Sequence, residues 1–101
     1  SATPNAPPVA PNAPTGLTAR AASRTQINLA WSDNSANETS FAIERSLNGS
    51  AFSPIATVGA GTTTYSSGGL SANKTYYYRV RASNAAGNSP YSNVASTKTL
   101  K

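Results

Sequence analysis

Three carboxylates, Asp33, Glu38 and Glu44, are the whole acidic inventory of the chain, which has no histidine and no cysteine. Glycoside hydrolysis by paired acids needs two carboxyl groups flanking a cleft, about 5–9.5 Å apart. Asp33 and Glu38 fall instead in one polar stretch, where an Asp ordinarily accepts bonds from turn backbone. Glu44 alternates outward from a strand, toward Arg79 or Arg81 on a neighbouring one. Without imidazole or thiol there is no general base poised near neutrality, no cysteine nucleophile and no ordinary zinc or copper site. The run Asp33-Asn34-Ser35-Ala36-Asn37-Glu38 offers oxygens of the kind calcium takes, but the spacing of an EF-hand loop, with its glycine at the sixth position, is missing. The expectation is that the chain is not an enzyme. No residue is assigned to catalysis, to a metal or to a cofactor, and no cofactor is expected.

Binding is the other chemistry that side chains can do, and aromatic rings are its usual instrument. Strand alternation turns Trp31, Phe41, Tyr76 and Tyr78 inward, and Tyr65 with them. Tyr77 and Tyr91 remain as candidate exposed rings, together with Phe52. Tyr77, Arg79, Arg81 and Tyr91 therefore form the candidate ligand or partner face, suited to polysaccharide or a cell surface. The alternative for the same rings is plain cross-strand packing. The net charge of +5 favours acidic partners in general. Yet Arg20, Arg24, Lys74, Lys98 and Lys101 are scattered along the chain, and no basic motif interleaved with aromatics appears. Nucleic acid is not an expected partner. Three Asn-x-Ser/Thr triplets, at Asn37, Asn48 and Asn73, receive no function in a chain so rich in these residues.

These side chains must be positioned by a small framework. The chain has 101 residues, of which 11% are charged against roughly 25% in ordinary soluble proteins, so hydroxyls and amides keep the surface wet. No apolar run approaches the ~18 residues of a bilayer span, and no membrane insertion is expected. The absence of cysteine leaves the redox compartment open. Residues 1–13, with Pro4, Pro7, Pro8 and Pro11, read as an extended linker, and a folded domain follows over residues 14–101. Because the chain starts at Ser1, it is expected to be a piece of a longer protein.

Within that domain the hydrophobic period is two, broken by Gly, Asn, Asp and Pro, which predicts an all-β chain. Strands are expected at 16–22, 26–32, 41–47, 52–58, 63–67, 75–83 and 93–99. Asn48-Gly49 reads as a type I′ hairpin turn, and residues 84–90 as a turn. The large inward residues are Leu17, Ile27, Leu29, Trp31, Phe41, Ile43, Ile55, Val58, Leu70, Tyr76, Tyr78 and Val80. Seven such strands predict a two-sheet antiparallel sandwich of immunoglobulin-like type.

Pro14 and Leu17, the lone Trp31, Phe41-x-Ile43, Leu70 followed by Tyr76-x-Tyr78-x-Val80-x-Ala82, and Asn84-Ala85-Ala86-Gly87 with Ser89 together resemble a fibronectin type III domain over about residues 14–99. The resemblance implies that Trp31, Phe41, Ile43, Leu70, Tyr76, Tyr78 and Val80 are structural core. It also implies a tyrosine corner in which the Tyr76 hydroxyl bonds back to nearby backbone. Phe41 stands where the family often has Tyr, which removes a hydroxyl and keeps the packing. Neither an Arg-Gly-Asp nor a Trp-Ser-x-Trp-Ser motif is present, so integrin and cytokine-receptor roles have no support. The combination of a Pro/Ala/Thr/Asn linker with a low-charge, Ser/Thr/Asn-rich type III domain is similar to bacterial secreted depolymerases such as chitinases, cellulases and polyester depolymerases. That similarity implies a secreted, non-catalytic spacer or accessory module, covalently linked to neighbouring domains and tied to polysaccharide degradation, and the Thr/Ser-rich edge strands lead to the expectation of a monomer. The alternative is a weak carbohydrate- or cell-surface-binding module using the Tyr/Arg face.

Overall fold

The computed structural model describes residues 10–35 and 37–101; the proline-rich run before residue 10, and Ala36 in the polar loop, lie outside them. Eight strands succeed one another: β1 (Thr15–Ala21), β2 (Ile27–Ser32), β3 (Ser40–Ser46), β4 (Ser53–Gly59), β5 (Thr64–Ser67), β6 (Thr75–Asn84), β7 (Gly87–Asn88) and β8 (Ala95–Lys98). One sheet has the order β1-β2-β5. The other has the order β4-β3-β6, with β7 and β8 both paired to the far edge of β6. All pairings are antiparallel. The two sheets face each other as a sandwich of immunoglobulin-like type.

The alternation that predicts strands is the alternation that buries. Along β2, Ile27, Leu29 and Trp31 are buried while Asn28, Ala30 and Ser32 are exposed. Along β6, Tyr76, Tyr78, Val80 and Ala82 are buried, and the residues between them are half-buried. With Leu17, Phe41, Ile43 and Leu70 these side chains make the core. At roughly 1.5–3 kcal/mol for each fully buried large apolar side chain, this core is the main source of stability. Trp31 and Phe41 meet from opposite sheets, ring centroids 5.7 Å apart and tilted by 58°, a geometry aromatic pairs favour.

Some expectations are corrected. Ile55 and Val58 are half-buried at the rim of the core rather than within it. They lie on β4, an edge strand whose register against β3 slips between Ile43 and Glu44. The connection after β3 is a six-residue loop, 47–52, in place of a two-residue type I′ turn. Gly49 takes a positive φ of 78°, but Asn48 does not. The Asn48 side chain instead accepts from the Ser50 and Ala51 amides, at 2.9 and 3.0 Å. The Ser46 hydroxyl accepts from the Asn48 and Gly49 amides. These side-chain bonds satisfy the backbone that a tight turn would have paired.

The segment 84–90, expected as a turn, contains β7, which folds back on β6 to pair Ser83 with Asn88 and Asn84 with Gly87. The final strand is thereby split, because Pro90 has no amide to continue the ladder. Two buried serines carry the pairing across the gap. Ser89 Oγ accepts from the Ala82 amide at 2.8 Å, and Ser92 Oγ accepts from the Val80 amide at 3.0 Å. Each hydroxyl donates in turn to the next backbone carbonyl, of Pro90 and Asn93.

Asn93, expected to open the last strand, bridges the sheets instead. It accepts from the Leu17 amide at 2.9 Å and donates to the Leu17 carbonyl at 3.0 Å. Leu17 is free for this because β1 bulges there: between Thr15 and Thr18 it spends one residue more than β2 does, and Gly16 supplies the positive φ of 65° the bulge needs.

The strand directions define two poles. Loops 33–39, 60–63 and 85–86 lie at the N-terminal pole. Pro11 is buried there, Asn12 donates to the Asn34 carbonyl at 3.0 Å, and Asn34 donates to the Ala13 carbonyl at 3.1 Å. Loops 22–26, 47–52 and 68–74 lie at the C-terminal pole. There the Asn73 amide donates to the Leu100 carbonyl, the Leu100 amide to the Ser23 carbonyl, and the Thr99 amide to the Lys74 carbonyl.

Candidate functional site

Position on β6 decides where the candidate face lies. Its odd-numbered residues, Tyr77, Arg79 and Arg81, leave the sandwich on the outer side of the larger sheet, and β3 places Glu44 directly opposite Arg79. Arg79 Nε and Nη2 reach Glu44 Oε1 at 2.8 and 2.7 Å. Tyr91, in the gap between β7 and β8, donates its hydroxyl to Glu44 Oε2 at 2.9 Å. The Arg79 guanidinium lies 3.7 Å from the centre of the Tyr91 ring and 4.3 Å from that of Phe52, so it is held by two aromatic faces. Arg81 approaches the Tyr91 ring at 4.8 Å.

Glu44 is therefore buried, only 6% exposed, although its strand position points outward. Burial would push its carboxyl up. The bonds from Arg79 and Tyr91 and the charges of Arg79 and Arg81 outweigh that and hold it below the ordinary carboxylate value.

The structure thus brings Arg79, Arg81 and Tyr91 together, with Phe52 and Glu44 beside them. Tyr77 stands apart: its ring lies over Gly49, where an added Cβ would meet ring carbons at 3.4 Å. The rings of Phe52 and Tyr91 carry guanidinium groups and do not present a bare, coplanar pair to solvent. Cation–π contacts of this kind contribute about 0.5–2 kcal/mol each, according to exposure. The cluster spends them within the sheet.

The other two carboxylates brace the N-terminal pole. Asp33 accepts from the Ser35 amide at 3.0 Å, and Glu38 Oε1 accepts from the Ser35 hydroxyl at 2.9 Å. Glu38 Oε2 accepts from the Gly61 amide at 3.1 Å, which ties this loop to the one after β4. Hydrogen bonding to its own backbone amide is the leading cause that holds the Glu38 carboxyl below its ordinary value. Burial opposes it, and the bonds to Ser35, Asp33 and Gly61 add to it. Asp33 and Glu38 adjoin each other within one loop, where both are engaged with Ser35, and Glu44 is committed to Arg79 and Tyr91. Among the described residues no three acidic, histidine or cysteine side chains gather as a metal would require.

The residues assigned to the core, Trp31, Phe41, Ile43, Leu70, Tyr76, Tyr78 and Val80, are all buried. Two of them carry polar handles. The Tyr76 hydroxyl accepts from the Ser71 amide at 2.8 Å, just beyond Leu70. The Tyr78 hydroxyl donates to Ser67 Oγ at 2.9 Å and so links β6 to β5 through the interior. Burial pushes the Tyr78 phenol above its ordinary value. Sequence reasoning does not find the Ser67 partner, nor the roles of Ser92 and Asn93, since each is a single polar residue bonding to a distant segment.

A family model described as fibronectin type III domain matches residues 12–98. The chain belongs to the fibronectin type III family. The fibronectin type III sandwich described here is similar to a domain of the β-1,2-glucanase from Parabacteroides distasonis, with a TM-score of 0.81 and 28% identity. That likeness covers 91% of this chain and 13% of the glucanase. Titin domains A168–A170 give a TM-score of 0.79 at 24% identity, over 91% of this chain and 33% of that one. The isolated domain FN3tt gives a TM-score of 0.79 at 24% identity, over 91% and 97%. The chain thus spans about a third of the titin fragment and about an eighth of the glucanase. No curated protein matches the sequence significantly. Fibronectin type III domains are generally non-catalytic modules that commonly serve as spacers or accessory domains.

Proposed function

We propose that this fibronectin type III domain is a non-catalytic spacer within a larger secreted, polymer-degrading enzyme, covalently joined to its neighbours. The observation that carries the reading is the placement of the chain ends. The chain joins the sandwich at the N-terminal pole, through Pro11 and Asn12, and leaves at the C-terminal pole, through Thr99 and Leu100. The ten residues of β6 run from one pole to the other, about 33 Å at roughly 3.3 Å per residue. A folded insert of that length separates two attached domains by a fixed distance. Tethering then acts through effective concentration, keeping a catalytic domain near a polymer gripped by its neighbour. The resemblance to a domain of a β-1,2-glucanase supports the enzyme setting.

The test is a catalytic domain joined to a substrate-binding domain through this chain, assayed on insoluble polymer. Deleting residues 12–101 should lower the rate on insoluble polymer and leave the rate on soluble oligomers unchanged. An unrelated sandwich of equal length should restore the loss. Failure of the unrelated sandwich to restore any activity would overturn the spacer reading, because particular residues would then matter and length alone would not.

A further inference from the structure

The fold collects what the sequence scatters. Arg24, Lys74 and the pair Lys98 and Lys101 lie in separate stretches of the chain, yet three segments bonded to one another carry them to the C-terminal pole. The Leu100 amide bonds the Ser23 carbonyl, the Asn73 amide bonds the Leu100 carbonyl, and Thr75 pairs with Lys98. Arg24 Nε donates to the Lys101 carbonyl at 2.6 Å, which fixes Arg24 beside the last residue of the chain. All four side chains are exposed, and none forms an ion pair among the described residues. The three acids lie elsewhere: Asp33 and Glu38 brace the opposite pole, and Glu44 is committed to Arg79. The poles stand on the order of 30 Å apart by strand length, several times the ~8 Å screening length at physiological salt. The carboxylates of the N-terminal pole therefore do not neutralise this end.

We propose that the C-terminal pole is a binding surface for an anionic polysaccharide, one bearing sulfate or carboxylate groups. Cationic surfaces attract any polyanion, and the side chains between the cations narrow the choice. Segments 22–26, 71–74 and 98–101 contribute no aromatic ring, so bases of a single-stranded nucleic acid have nothing to stack on. Leu100, 51% exposed, and Leu47, 58% exposed on loop 47–52, are the large apolar side chains this pole presents to solvent, two single residues on separate loops where a protein partner needs a buried cluster of anchors. Thr25, Ser71 and Asn73 are exposed between the charges, and their hydroxyl and amide groups suit the hydroxyls of a sugar chain.

The experiment is a titration of the 101-residue chain, amidated at Lys101 so that no terminal carboxylate stands beside Arg24, with a short heparin-derived oligosaccharide, followed by backbone amide NMR shifts and repeated at rising salt. Shifts should concentrate at residues 23–25, 73–75 and 98–101, and affinity should fall as salt rises. Lys74→Ser and Lys98→Ser should each weaken binding by about fivefold, as expected for one cation near an anionic surface. Arg81→Ser removes the same charge at a distance and should change affinity by less than about twofold. An equal loss with Arg81→Ser would overturn the proposal, since net charge or the face around Tyr91 would then account for the binding. Shifts confined to the face around Tyr91, or no binding in low salt, would overturn it too. Tighter binding of an oligonucleotide or of polyglutamate at the same residues would overturn the choice of partner. The spacer reading is read out separately, on insoluble polymer, and survives failure here.

Discussion

Glu44 is where single residues carry most chemistry in this molecule. Its two oxygens are divided between Arg79 and the Tyr91 hydroxyl, and its carboxyl is held below the ordinary value in the folded state. A carboxyl whose folded value is depressed contributes stability above its unfolded value, near pH 4.3, and loses it as pH falls through the folded value. Glu38 is depressed in the same sense and adds to the same loss. Denaturant midpoints measured from pH 7 downward should therefore drop below about pH 4.5. Glu44→Gln should cost about 1 kcal/mol at pH 7, between an exposed ion pair and a buried charged bond, and flatten part of that acid slope. An unchanged slope in the variant would assign the acid sensitivity to Glu38 alone. A second residue-scale expectation concerns Tyr76. Removing its hydroxyl leaves the Ser71 amide without its acceptor, so Tyr76→Phe should destabilise the domain by roughly 1–3 kcal/mol. Equilibrium unfolding in urea measures it, and a change within a few tenths would remove the corner from the structural account.

At the scale of elements, the sheets were legible because their period is short and strong. The run Tyr76 to Ala82 alternates large inward and polar outward residues without a break, and Ile27, Leu29 and Trp31 do the same on β2. Legibility ended where backbone bonds to side chains. Residues 84–90 read as a turn and 93–99 as an unbroken last strand, but β7 forms within that turn, Pro90 interrupts the ladder, and Ser89 and Ser92 take over two of its acceptors. Asn48 misled for the same reason, since its side chain caps a longer loop where its type and neighbour suggested a tight turn. The candidate face was half-legible. Outward register placed Arg79 and Arg81, and Tyr77, which packs over Gly49 instead; Tyr91 was left by elimination, and the Glu44 cap over its hydroxyl depends on a loop whose path no local period records. Ser92→Ala is the element-scale test. It strands the buried Val80 amide and should cost about 1–3 kcal/mol, with amide exchange faster on β6 near Val80 than at Phe41. Uniformly unchanged exchange would show that the serine is dispensable to the sheet.

Across the whole molecule, charge and chain direction follow from the same topology. Carboxylates gather at the pole where the chain joins the sandwich and unpaired cations at the pole where it leaves, an asymmetry invisible in a sequence whose cations are spread from Arg20 to Lys101. Chain direction has a further consequence through Asn93. Strands β1 and β8 both run from the N-terminal toward the C-terminal pole, because each is antiparallel to a partner running back. Tension applied through the two ends draws β1 toward one pole and β8 toward the other, so the pair slides lengthwise and cannot peel open bond by bond. The two Asn93 bonds to Leu17 lie across that sliding direction and are stressed together. One amide side chain, placed at a bulge, ties the first and last strands together across the direction in which pulling on the two ends would slide them.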